Sequence, residues 1–103
     1  MLPGQIQRLG TAALVGALLL VAGCAGPPVQ EMSDARQAIS VARDAGAAEH
    51  AAGELSAAVE HLQSAERYLN QRRYENARRD ALQAKEEALN ALQRSESSNE
   101  ETP

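Results

Sequence analysis

GELSAAVEHLQSAERYL, residues 53–69, decides the fold of this chain. Leu55, Ala58, Leu62, Ala65 and Leu69 recur at alternating steps of three and four, which places them on one face of a helix. A strand would need alternation at every second residue, and no stretch between residues 31 and 94 has it. Glu54 sits near the start, where a negative charge suits the positive end of the helix dipole.

Downstream, Tyr74, Ala77, Ala81, Ala84, Ala88 and Ala91 keep the same step with less bulk, and Leu82, Leu89 and Leu92 widen the apolar face. Upstream, Met32, Ala35, Ile39 and Ala42 mark a helix over about 32–45, with Ser33 or Asp34 in its first turn as a cap and Gly46 placed for a left-handed C-terminal cap. The connections are short, roughly 46–52 and 70–73, which forces neighbouring helices to run antiparallel. The expected fold is all-α: a short antiparallel three-helix bundle, a helical hairpin plus one helix, over residues 31–94.

The core of such a bundle is thin. The chain has no Phe and no Trp, so its large buried candidates are Met32, Ile39, Val59, the leucines and two tyrosines. A single core of that size rarely supplies more than ~3–5 kcal/mol. Two readings of the alanine stripe Ala77, Ala81, Ala84, Ala88 and Ala91 follow. Either it is an interaction face that awaits a partner helix, or alanine's helix propensity and close packing suffice without one.

The ends of the chain have a different composition. Residues 1–23 have a polar start with Arg8, an apolar stretch over about 11–22 and small residues at the end, the layout of a cleaved export signal. The apolar stretch falls short of the roughly 20 residues a membrane span needs. Val21-Ala22-Gly23-Cys24 resembles the bacterial lipobox, in which small residues precede the cut and a cysteine follows it. That resemblance implies a diacylglyceryl group on the sulfur of Cys24 and acylation of its new amino group. One acyl chain gives only marginal anchoring, whereas two or three hold firmly. In that lipoprotein class an aspartate after the cysteine retains the protein in the inner membrane; with Ala25 there, the resemblance implies sorting to the outer membrane, facing the periplasm, in an organism with two membranes. Cys24 is the only cysteine, so no disulfide can form within the chain. Residues 24–30, with Gly26-Pro27-Pro28, are expected to be a stiff stalk, and residues 95–103, SESSNEETP, a disordered acidic tail.

EMSDARQAISVARDAGA, GELSAAVEHLQSAERYL and RRYENARRDALQAKEEA together resemble the bacterial domain of unknown function 4398 family. The pattern falls on Ala35, Arg36, Ala38, Ile39 and Ala42, then Leu55, Ala58, Leu62 and Ala65, then Tyr74, Ala77, Ala81 and Ala84. The resemblance covers about residues 27–88 and implies a small helical lipoprotein. Gln71-Arg72-Arg73 departs from it, standing where a glycine-led turn is common, as does Ala51-Ala52-Gly53, where an Ala-Pro pair is usual. The second and third helices also look like a tetratricopeptide hairpin, but one hairpin does not make a solenoid.

Loss of the signal leaves nine basic and fourteen acidic residues, which argues against a nucleic-acid partner. His50 and His61 lack metal-ligand spacing. No nucleophile turn or glycine-rich phosphate loop is present, so neither catalysis, a cofactor nor a small-molecule substrate is expected. Arg72, Arg73, Arg78 and Arg79 cluster around the second turn. They read either as a fork for anions or, locally, as helix-end cations with Glu75 paired to Arg78 or Arg79. The functional expectation is a lipid-anchored, non-catalytic interaction or scaffolding module of the cell envelope. The alternative is a structural spacer in which copies of the chain self-associate as a coiled coil through the alanine stripe.

Overall fold

The computed structural model describes residues 26–101. The export signal, its cleavage motif Val21-Ala22-Gly23 and the lipidation residue Cys24 lie outside the described residues. Four helices follow in order: α1 (Val29–Asp44), α2 (Ala47–His50), α3 (Ala52–Asn70) and α4 (Tyr74–Glu101), and no strand occurs among the described residues. The all-α bundle is therefore as the spacing predicts, with one added turn of helix, α2, inside the first connection.

Helix α1 starts three residues earlier than its apolar pattern suggests. Pro28 holds its φ at −80° and has no amide to leave unpaired, so it begins the helix without a side-chain cap. Ser33 and Asp34 are thus inside the helix; Asp34 accepts a 2.9 Å hydrogen bond from Gln30. Gly46 has φ +92°, the left-handed conformation expected of it. Its amide bonds the Arg43 carbonyl, and its own carbonyl accepts from the amides of both Glu49 and His50, so one glycine ends α1 and starts α2.

The turn from α3 to α4 is a Schellman motif. The Arg73 amide reaches the Tyr68 carbonyl at 2.9 Å and the Arg72 amide reaches that of Leu69 at 3.0 Å. Arg72 occupies the left-handed position, φ +60°, where glycine is the unstrained choice.

Helix α4 is the spine: it packs most extensively on α3, next on α1, while α1 and α3 share a much smaller contact. Along it Ala77, Ala81, Ala84, Ala88, Ala91 and Ser95 are buried at alternating steps of four and three. This is the coiled-coil seam spacing. Large side chains cover that flat seam from the other two helices. Met32 packs with Ala65 and Ala81, flanked by Leu62 and Leu69, while Ile39 and Leu55 pack with Ala88 and Ala91.

This packing corrects the expectation that the alanine stripe is an interaction face. Ala77, Ala81, Ala84, Ala88 and Ala91 are each 0% exposed, covered by the chain's own α1 and α3. Small residues on one helix let the backbones approach closely, and the bulk missing from α4 comes from Met32, Ile39 and the leucines opposite. In this arrangement the same stripe is not free for coiled-coil self-association either.

The acidic end is corrected as well. Helix α4 runs on to Glu101 where a disordered tail from Ser95 is expected. Ser95 continues the seam and is 0% exposed, its hydroxyl donating to the Ala91 carbonyl at 2.8 Å. Ser97 likewise donates to the Gln93 carbonyl, and the Asn99 amide group reaches the Ala45 carbonyl at the end of α1, 3.1 Å away. Local polarity was outweighed by a position in register with the core.

Candidate functional site

The antiparallel arrangement brings two sequence-distant segments to one end of the bundle: the start of α1 and the α3–α4 turn. Arg78, one turn into α4, joins them. Its guanidinium donates to the Gly26 carbonyl at 2.9 Å, to Glu31 at 3.3 Å and to Glu75 at 2.8 Å. Pro28 is fully buried beside it. The described part of the expected stalk is thus docked on the bundle, not held away from it. An apolar proline ring and a carbonyl within reach of a half-buried arginine favour contact over extension.

The four arginines of the cluster therefore separate. Arg78 is engaged by three partners within the chain. Arg73 stacks on the Tyr68 ring, its guanidinium carbon 4.9 Å from the centroid. Arg72 and Arg79 are exposed, and no ion pair engages them among the described residues. Tyr68 and Tyr74 are both half-buried, flanking the same turn.

The other polar contacts run along the helix seams. Arg36 meets Glu66 at 3.5 Å, Lys85 meets Asp34 at 3.9 Å and Arg94 meets Glu54 at 2.6 Å. Each pair is solvent-accessible on at least one side, so each contributes about 0–1 kcal/mol and fixes register more than stability. His61 lies 3.9 Å from Asp80, and no set of three metal-ligating side chains comes together among the described residues. On the outer side, Val41, Leu82 and Leu89 are 43–50% exposed. Val41, Leu89 and Leu92 line a shallow groove between α1 and α4, bordered by Asp34 and Lys85.

A family model described as a domain of unknown function, DUF4398, matches residues 30–102, from the first turn of α1 to the end of α4. The chain belongs to the DUF4398 family. The match runs past residue 88, where the sequence resemblance stops, and takes in the last turns of α4. No curated protein and no solved structure matches the chain. For this DUF4398 member the Arg78 clamp is the feature that sequence reading missed. Its partners are 47 and 52 positions away, and nothing local in the sequence marks them. The burial of Ser95 had a signal, since the four-three step of the alanines lands on it.

Proposed function

We propose that this chain is a lipid-anchored, non-catalytic helical module of the bacterial cell envelope, outer-membrane-bound and facing the periplasm. The observation that carries the reading is the end of the export signal, Val21-Ala22-Gly23, followed by the chain's only cysteine, Cys24. Its chemistry asks for small residues before the cut and a thiol after it. None of the described helices is long and apolar enough to cross a membrane; in this reading attachment is through acyl chains on Cys24. The folded part supports the reading in that Gly26, two positions after Cys24 in the sequence, is already held on the bundle by Arg78.

Partner binding by this module uses its outer surface, because the alanine seam is occupied. Exposed Leu82 and Leu89, seven residues apart on one face of α4, and Val41 across the groove are the surface that supports an interaction role.

Growing cells with labelled palmitate tests the anchor. The wild-type protein takes up label and stays with membranes in plain buffer, whereas Cys24→Ala is unlabelled and soluble. Label in the Cys24→Ala protein, or a mature mass that still includes residues 1–23, would overturn the reading.

A further inference from the structure

Although the chain is acidic overall, its charge is sorted along the bundle. The end formed by residues 26–33 and 66–79 holds five arginines against three glutamates. The opposite end, residues 40–54 and 93–101, holds two arginines against six carboxylates. At the basic end the carboxylates are already engaged: Glu31 and Glu75 with Arg78, Glu66 with Arg36. That leaves Arg67, Arg72, Arg73 and Arg79, all exposed and without an ion pair among the described residues. The only two aromatic residues of the chain, Tyr68 and Tyr74, lie at the same end, half-buried. Tyrosine and arginine together suit a membrane–water interface, one through its amphipathic ring and the other through its attraction to lipid phosphates.

The Arg78 clamp fixes where this end points. It holds the Gly26 carbonyl beside the α3–α4 turn, and the covalent chain allows Cys24, two positions earlier, to lie no more than about 7 Å from it. We propose that the end bearing Arg67, Arg72, Arg73 and Arg79 is a membrane-docking surface that seats the bundle, turn down, on anionic lipid headgroups, with the acidic end of α4 pointing away. The inference rests on attachment through Cys24 and adds to it an orientation. Each arginine at an anionic surface is worth about fivefold in association. Anchoring removes the cost of bringing the carboxylate-rich chain to the membrane, and repulsion of the far end favours the upright pose. An acidic protein partner would have to compete with the bilayer to which Cys24, two positions from Gly26, tethers this end.

The tyrosines are built-in reporters. The mature chain from Cys24, with a free thiol, is coupled through that thiol to maleimide lipid in vesicles containing a nitroxide-headgroup lipid. Chemical coupling supplies the anchor whether or not cells acylate Cys24, so failure of docking is distinguishable from failure of the anchor. Tyrosine emission is expected to be quenched more strongly on phosphatidylglycerol vesicles than on phosphatidylcholine ones. In the R67Q/R72Q/R73Q/R79Q variant, with helicity verified by circular dichroism, quenching falls to the phosphatidylcholine level. High salt does the same to the wild type. Equal quenching on both lipids, or a variant indistinguishable from wild type on phosphatidylglycerol, overturns the assignment. Release of quenching by inorganic phosphate at matched ionic strength would mark a free-anion site and also overturn it.

Discussion

Gly46 and Arg72 occupy equivalent left-handed positions at two helix ends, one with the residue physics favours and one without. A methyl group on Gly46 would meet the His50 ring at 3.3 Å in a conformation that L-residues avoid. Gly46→Ala is therefore expected to destabilise the bundle by about 1–2 kcal/mol, and Arg72→Gly to stabilise it by about 0.5–1 kcal/mol. Denaturant titration followed by circular dichroism checks both signs. An arginine kept at a strained position agrees with a use for its charge, so the more stable Arg72→Gly protein should also dock less well on phosphatidylglycerol vesicles. The glycine was legible in the sequence because it stands directly after a periodic run. The strain at Arg72 was not, because arginine carries no marker for φ.

At the scale of the element, α4 shows how register can override composition. Its last turns are rich in serine and glutamate, with low local reason to stay helical, yet Ser95 falls on the seam and Asn99 meets the end of α1. The Ala91 carbonyl keeps its helical amide partner whether or not the Ser95 hydroxyl is present. Ser95→Ala is expected to change stability by less than about 0.5 kcal/mol. Ser95→Glu places a charge with no partner in a fully buried site and is expected to cost about 2 kcal/mol or more. Hydrogen exchange of the amides after residue 95 separates the cases: protected in Ser95→Ala, fraying in Ser95→Glu. Free exchange of this segment in the wild type would show the end of α4 to be unfolded after all.

For the whole molecule, stability comes from three helices meeting over one flat seam. Ala84 and Ala88 have no spare space, since each is 0% exposed. Ala84→Leu or Ala88→Leu forces α1 and α3 away from α4 and is expected to cost about 1–3 kcal/mol. In a domain this small that is about 4–8 °C of melting temperature per kcal/mol, measurable by thermal circular dichroism. A seam facing solvent or a second copy would instead tolerate leucine with little loss of monomer stability, so the sign of this experiment tests the covered arrangement directly.

The apolar period in the sequence determined that the chain is helical, where its turns fall and that its helices approach closely, because each of these depends on residues within one or two helical turns of each other. The cysteine after Gly23 and the cluster Arg72, Arg73, Arg78 and Arg79 were likewise written locally. What covers the alanine seam was decided only by tertiary structure. An alanine stripe has the same spacing whether it meets another chain or the same one, and only the placement of Met32, Ile39 and Leu55 against it settles which. The docking of Gly26 by Arg78 belongs to the same class: contacts about fifty residues apart exist only once antiparallel packing has brought the two segments to one end.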